Sequence, residues 1–159
     1  MLQLSISWKG PFTSHEIQRF NEVSVAPDYD GEDYGLYQIY GRHILGGRDA
    51  LLYVGSAVDQ TFAARFRQHQ SWLPDEWPVT VYLGRIYMPR RHTASNGWAK
   101  WREDLLLAER LLIYNYSPHY NSNSVAERPL LAPHKRVILI HQGQRHRLRR
   151  RDVAPNDWQ

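Results

Sequence analysis

The chain has 159 residues and a mass of 18.8 kDa, a length that predicts one domain over residues 1–159. Hydrophobic residues make up 42% of it, which excludes a disordered chain. It contains no cysteine, which excludes disulfides, thiolate zinc sites and cysteine nucleophiles. No segment approaches the ~18 to 20 apolar residues of a membrane span, and the N-terminus lacks the pattern of a signal peptide, so we expect a cytoplasmic protein.

The net charge is +4, and the positive excess lies at the C-terminal end. Residues 135–159 carry a local charge of +5, which leaves −1 on the residues before them. Arginine outnumbers lysine by 17 to 3, and a guanidinium group can bind two phosphate oxygens at once. The composition therefore indicates either a polyanionic partner or a solvated basic tail.

The N-terminal part predicts a strand, a short helix and a linker. Apolar and polar residues alternate over residues 2–8, which is typical of a half-buried strand. Thr13 or Ser14 can cap the next helix, which we expect to run to about residue 22. Residues 26–33 are acidic and rich in turn formers, so they predict a linker.

A hairpin, a second helix and a third strand are predicted next. Residues 34–40 and 50–54 are rich in aromatic and aliphatic side chains and flank a Gly-Gly turn signal, which predicts two antiparallel strands. Asp59 can cap a helix that runs to about residue 70. Residues 79–86 then predict a strand.

The C-terminal half predicts a loop, a long helix and a second hairpin. Residues 87–100 are basic and irregular, so we expect an exposed loop. Residues 101–115 have the strongest helical pattern, and Pro118 prevents its extension. Strands over residues 136–140 and 145–148 predict the hairpin. The whole pattern indicates an α+β domain with helices packed on a small antiparallel sheet.

Glu109 lies inside the apolar stripe of the long helix, where a helical wheel places it between Leu105 and Leu106. Because burying an isolated charge is costly, this carboxylate must be paired, protonated or bound to a metal. A structural salt bridge and a functional carboxylate both remain open. Leu107 and Leu111 form a second ridge, which the C-terminal hairpin or a second subunit would cover.

Two pairs of side chains accompany this carboxylate. Arg65 and His69 are four residues apart and therefore share one face of their helix. Tyr37 and Tyr53 can approach each other across the hairpin, and Gly55 permits close approach of backbone or ligand. Each pair also has an ordinary explanation, namely a solvated helix face and packing within a sheet.

Five elements follow one another over residues 35–121. They are Gly35-Leu36-Tyr37, Tyr53-Val54-Gly55-Ser56-Ala57, RFRQH with Arg65 and His69, AERLLI with Glu109, and PHYN with Pro118 and Asn121. This series resembles the GIY-YIG nuclease family, with Leu36 and Val54 as conservative apolar replacements of the two isoleucines in the family name. The resemblance covers more than half of the chain.

The resemblance implies a fold and an activity. The fold would be a small three-stranded antiparallel sheet flanked by helices, with an added N-terminal strand and helix and a basic C-terminal β-hairpin at residues 135–151. Residues 35–121 would form a catalytic core that hydrolyses phosphodiester bonds of DNA with Mg²⁺ or Mn²⁺. Glu109 would hold the metal.

The resemblance also implies roles for particular side chains. The catalytic set would be Tyr37, Tyr53, Arg65, His69, Glu109 and Asn121. Arg65 would stabilise the charged phosphate, and Tyr37, directly or with His69, would accept a proton from the attacking water. Tyr53 would orient the water or the phosphate, and Asn121 would brace the site through hydrogen bonds.

Further arginines are expected to contact DNA. They are Arg67, Arg90, Arg91, Arg145, Arg147 and Arg149. Arg67 also remains an alternative to Arg65 as the catalytic arginine, and the C-terminal arginines could instead form a flexible basic tail. The histidines show no paired zinc spacing, so a structural zinc is not expected.

The leading interpretation is a sequence-specific restriction-type endonuclease that acts on duplex DNA. The 34 residues before the core and the 38 after it are few for a separate recognition domain, and a homodimer could cut both strands by two-fold symmetry. A repair or structure-specific nuclease is the alternative. Two other readings are a non-catalytic nucleic-acid-binding module and a subunit that a partner activates.

Overall fold

The computed structural model describes residues 1–19, 35–69, 78–86, 96–121 and 136–154. Within these residues the chain forms six strands and three helices. They are β1 (Leu2–Phe12), α1 (Ser14–Gln18), β2 (Gly35–His43), β3 (Gly47–Ala57), α2 (Phe62–His69), β4 (Thr80–Ile86), α3 (Asn96–Tyr116), β5 (Val137–Gly143) and β6 (Arg151–Val153). The linker expected at 26–33 lies outside the described residues.

The strands form one mixed sheet in the order β3-β2-β4-β1-β5-β6. The predicted β2–β3 hairpin is confirmed, since Tyr37 pairs with Gly55 in an antiparallel register. The prediction of a small three-stranded antiparallel sheet flanked by helices is wrong. β1 joins β4 on one side and runs parallel to β5 on the other, so the expected additions at both ends of the chain belong to the same sheet. This parallel pairing joins distant segments, which no local sequence pattern encodes.

The sheet separates two apolar cores. α3 packs on one face, where its Leu112 joins Trp8 and Tyr40, and α1 and α2 pack on the other face, where Phe66 meets Tyr37. All five side chains are fully buried, and burial of such a side chain contributes roughly 1.5–3 kcal/mol. None of the described helices is both long and apolar enough to cross a membrane.

The second ridge of α3 is covered by other parts of the same chain. Leu111 is fully buried in one cluster with Val137 and Leu139 of β5 and with Leu148, and Leu107 packs against that cluster. The C-terminal segment therefore contributes to the same apolar core as this ridge.

Threonines cap the two short helices. Thr13 caps α1 through a capping box, as predicted, and at α2 the hydroxyl of Thr61 accepts a hydrogen bond from Ala64 N at 3.2 Å. The prediction that Asp59 caps α2 is wrong. Its carboxylate lies 3.0 Å from Arg102 of α3 and ties the turn after β3 to that helix.

α3 begins before the point that the sequence predicted. Residues 96–100, expected to form a loop, are its first turn, while residues 87–95 lie outside the described part. Trp98 and Trp101 stack with their ring centroids 4.8 Å apart and pack on the core of this face of the sheet, which anchors the first turn of α3. The helix ends before Ser117, whose φ of 45° is left-handed.

The structure contains a C-terminal hairpin, but its second strand lies later in the chain than the sequence predicted. Residues 145–148 form turns and not the predicted strand, and β6 pairs with β5 so that Ile140 opposes Arg151. Gly143 and His146 both have positive φ angles, of 70° and 52°. These conformations interrupt an extended chain and explain the error.

Candidate active site

Two tyrosines meet over a glycine in the β2–β3 hairpin. Tyr37 lies opposite Gly55, and the rings of Tyr37 and Tyr53 are stacked with centroids 6.0 Å apart. A Cβ atom at Gly55 would lie 2.7 Å from the Tyr53 ring and would also collide with the Tyr37 phenol. The close approach that the sequence predicted at Gly55 is therefore made by the chain's own tyrosines.

α2 brings Arg65 and His69 to the Tyr37 phenol. The oxygen of Tyr37 lies 2.6 Å from His69 Nε2, and Arg65 Nε donates a hydrogen bond to the same oxygen at 3.3 Å. Arg67 points elsewhere, since its guanidinium donates to the backbone carbonyl of Gln18 at 3.1 Å. The structure therefore brings Arg65, and not Arg67, into the tyrosine cluster.

Burial determines the protonation states of Tyr37 and His69. Desolvation raises the pKa of Tyr37 far above its usual range, and the charge that would form on Tyr53 adds to this rise. Desolvation also lowers the pKa of His69 to about 4, with a further contribution from the Arg65 charge. Both groups are therefore neutral at neutral pH, and His69 is an unprotonated base in contact with a phenol.

Glu109 of α3 reaches the same region from the other face of the sheet. Ser56 Oγ donates a hydrogen bond to its carboxylate at 2.8 Å. Burial raises the pKa of Glu109, while the Ser56 hydrogen bond and the charges of Arg65 and Arg110 act in the opposite direction. Among the described residues, Glu109 forms no ion pair.

The candidate site has side chains on both faces of the sheet at its β3 edge. β3 is the edge strand, and successive side chains on it point to opposite faces, so that Tyr53 and Gly55 face α2 while Ser56 faces α3. Ser56 was missing from the predicted set. Its position directly after Gly55 was the available signal, because strand alternation places it on the face of Glu109.

The donor groups fit a weakly held hard cation. Among the residues that the structure describes, no group of three His, Asp or Glu side chains could hold a metal ion. Mg²⁺ needs only one or two carboxylates, because it keeps several waters and binds substrate phosphate. The carboxylate of Glu109, supported by the hydroxyl of Ser56, matches that requirement.

The side chain of Asn121 forms two hydrogen bonds with the backbone of β3. Its side-chain oxygen accepts from Val54 N at 2.9 Å, and its amide nitrogen donates to Val54 O at 2.8 Å. The backbone nitrogens of His119 and Tyr120 also donate to carbonyls of β3. Asn121 therefore braces the strand that carries Tyr53 and does not enter the tyrosine cluster.

The predicted DNA-binding arginines are scattered. Arg90 and Arg91 lie outside the described residues. Residues 144–150 cross from β5 towards the start of β3, where Arg147 Nε lies 3.0 Å from the carboxylate of Asp49. His146 lies 2.9 Å from the same carboxylate. The charge of Arg147 is thus partly compensated within the protein, at the end of β3 that is remote from Ser56.

Comparison of the chain with protein-family models, with curated proteins and with solved structures gives no match. The case for a nuclease therefore depends on the order of the sequence motifs and on the side chains that meet at the edge of the sheet. Four groups carry that case, namely a phenol, a neutral imidazole, a guanidinium and a carboxylate.

Proposed function

We propose that this protein is a metal-dependent endonuclease of the GIY-YIG type that hydrolyses phosphodiester bonds of DNA. The observation that carries the proposal is the convergence of Arg65 and His69 on the Tyr37 phenol, with Glu109 across the β3 edge. These residues come from three separate elements. Such a set contains a proton acceptor, a cation for the phosphate and a carboxylate for a metal.

His69 is the base in this scheme. Its lowered pKa keeps the imidazole neutral, so that Nε2 can take the phenolic proton while the Tyr37 oxygen takes one from the attacking water. Arg65 is already aligned on that oxygen and would stabilise both the phenolate and the charged phosphate. Tyr53, which is partly exposed, would contact the water or the phosphate.

Glu109 would hold the metal ion, with Ser56 fixing the orientation of its carboxylate. A bound Mg²⁺ or Mn²⁺ would act as a Lewis acid and stabilise the leaving oxygen. Arg65 influences the protonation of both Glu109 and Tyr37, so it couples the carboxylate to the proton acceptor.

A second candidate function is a DNA-binding module that does not cleave. The observation that favours it is the exposure of Tyr37, which is 0%. Water therefore has no direct access to the phenol in this conformation. Metal-independent binding of DNA without cleavage is the expected behaviour of such a module.

The proposal includes a restriction-type enzyme that acts as a homodimer, because one small active site cuts one strand and two-fold symmetry would supply the second cut. It also includes a cytoplasmic location, which is consistent with the absence of cysteine. A repair or structure-specific nuclease would use the same catalytic residues on a branched substrate.

The test is incubation of the full chain with long duplex DNA of mixed sequence in Mg²⁺ or in EDTA. Glu109→Ala is compared with Glu103→Ala, which removes an exposed glutamate from the same helix. We expect Mg²⁺-dependent cleavage that Glu109→Ala abolishes and Glu103→Ala retains. Discrete fragments would indicate a restriction-type enzyme, and a smear would indicate low specificity.

Two other outcomes separate the remaining candidates. Cleavage only of branched duplexes would favour a repair or structure-specific nuclease. Tight binding in EDTA without cleavage of any of these substrates would favour the binding module. If Glu109→Ala folds normally and cuts as fast as the parent, the proposed site is wrong.

A further inference from the structure

The tip of the β2–β3 hairpin presents two apolar side chains to solvent. Ile44 is 99% exposed and Leu45 is 88% exposed, which makes them the most exposed large apolar side chains among the described residues. Such side chains usually mark a contact surface when they lie together. Neither of them contributes to the two cores of the fold.

The tip is held in a defined conformation. His43 Nδ1 accepts hydrogen bonds from the backbone nitrogens of Leu45 and Gly46, both at 3.2 Å, and the His43 ring stacks on His119 with centroids 3.8 Å apart. A Cβ atom at Gly46 would collide with His119. The glycine therefore lets His119 support the tip, and the two apolar side chains project from a braced turn.

The surroundings of the tip are basic. Arg42 and Arg48 flank the turn and are exposed, and the neighbouring acid, Asp49, pairs with His146 and Arg147. A second copy of the chain would bring like charges together if two tips met. A polyanion, in contrast, would be attracted to the arginines while the apolar pair made its own contact.

We propose that this tip is a wedge that inserts Ile44 and Leu45 between base pairs of duplex DNA, with Arg48 and Arg42 on the flanking phosphates. Isoleucine and leucine are among the side chains that proteins insert at base steps, which kinks the duplex by about 20–90°. The inference rests on the proposed function for the identity of the ligand. It adds a contact that positions DNA away from the site of cleavage.

The position of the tip predicts where the distortion falls. Tyr37 and Ile44 are both on the β2–β3 hairpin, and a strand advances about 3.3 Å per residue, so the tip lies roughly 20 Å from the phenol. That span corresponds to about six base pairs at ~3.4 Å each. The segment from His119 to Asn121 follows β3 along the same edge and connects the two ends.

The experiment measures binding and bending without cleavage. The full chain in EDTA is titrated onto a short mixed-sequence duplex that carries a donor and an acceptor dye at its two ends. The double variant Ile44→Ser/Leu45→Ser is compared with Val153→Ser, which removes an exposed apolar side chain from β6. Both changes affect exposed side chains, and circular dichroism checks that each variant folds.

We expect the double variant to bind about tenfold more weakly and to lose the energy-transfer change, because each inserted apolar contact is worth a measurable part of the affinity. Val153→Ser should bind and bend DNA like the parent. Arg48→Gln should reduce the slope of log K against log salt by about 1, as expected for the loss of one phosphate contact.

Several results would overturn the wedge. One is a double variant that binds and bends DNA like the parent. Another is a double variant that loses self-association in sedimentation but binds DNA as before, which would make the tip a contact between copies of the chain. The two proposals fail separately. Tip-dependent bending by a protein that never cleaves would contradict only the endonuclease, whereas cleavage with no effect of the tip would contradict only the wedge.

Discussion

Two buried histidines lie in opposite halves of the sheet and have different surroundings. His141 on β5 accepts a hydrogen bond from Trp8 Nε1 at 3.0 Å, so its other nitrogen carries the proton and donates to Asp152 at 2.9 Å. Tyr116 donates to the same carboxylate at 2.9 Å. His69, in contrast, contacts a phenol beside the partly exposed side chains of the candidate site.

The difference lies in the groups to which each histidine is connected. His141 is paired with Trp8 of β1 and Asp152 of β6, and Asp152 also accepts a hydrogen bond from Tyr116 of α3, so this network ties the C-terminal strands to the rest of the sheet. The cluster of His69 ends at Arg65 and Tyr53, which solvent can reach. Both halves contain a buried imidazole, but only the His69 cluster includes the partly exposed side chains of the candidate site.

The largest expected effect is on catalysis, from Arg65→Ala. Loss of the guanidinium removes the cation that contacts the phenol and that, in the proposed function, stabilises the phosphate, so we expect the cleavage rate to fall by about 10²- to 10³-fold. Arg67→Ala is the matched control, because Arg67 contacts α1 and should change the rate only a few-fold. Single-turnover cleavage assays on folded protein measure both rates. Equal losses for the two variants would contradict the assignment.

The next effect is on stability, from Asp152→Ala. The change leaves the His141 N–H and the Tyr116 hydroxyl without their buried acceptor, so we expect a loss of roughly 3 kcal/mol in the free energy of unfolding. Urea denaturation measures it, and the folded fraction should cleave at the parental rate. Asp59→Ala, which breaks an exposed pair with Arg102, should leave the midpoint nearly unchanged. A fully stable Asp152→Ala variant would show that the network is not structural.

A smaller effect concerns the pH dependence of stability. The pKa of His69 is lowered to about 4 in the folded protein, so the unfolded chain binds the proton first as the pH falls. The stability from a neutral His69 is therefore complete above about pH 6.5 and decreases towards pH 4, by about 2 kcal/mol between pH 7 and pH 5. His69→Gln should remove this slope in urea titrations, while His15→Gln, at an exposed histidine, should retain it. An unchanged slope in His69→Gln would place the titrating group elsewhere.

The smallest effect is expected from Ser56→Ala. The hydroxyl of Ser56 lowers the pKa of Glu109, so its removal should raise that pKa and shift the acid limb of the kcat/KM profile to higher pH. Activity should fall severalfold under mildly acidic conditions and match the parent in alkaline buffer. Ser7→Ala, at an exposed serine of β1, serves as the control. A uniform loss at all pH values would instead indicate that Ser56 only orients the carboxylate.

Local patterns predicted much of the hairpin and of the helices. The aromatic and aliphatic residues at 34–40 and 50–54, with the Gly-Gly turn signal between them, identified β2 and β3, and the helical spacing of Arg65 and His69 placed both on one face of α2. Errors occurred where tertiary contacts replace local preference. Trp98 and Trp101 pack on the core of the α3 face, which extends α3 into a stretch without a helical pattern.

The local pattern favoured Arg65 over Arg67, through the spacing of Arg65 and His69, but left Arg67 open as an alternative. Arg65 and Arg67 lie on the same helix, and only the packing of α2 against β2 directs Arg65 to the phenol and Arg67 to α1. Ser56 is one of several serines in the chain, and only the approach of α3 to the edge strand gives it Glu109 as a partner. These contacts depend on how elements pack and not on their own periodicity.

The sequence by itself determined the order of the candidate site residues and the elements that carry most of them, because alternation and helical spacing are properties of neighbouring residues. The tertiary structure decided the six-stranded sheet, the parallel pairing of β1 with β5 and the division of the two histidines into separate networks. Those features join segments that are far apart along the chain, and many apolar strands could satisfy the same local pattern. Only the simultaneous packing of both faces of the sheet selects one arrangement.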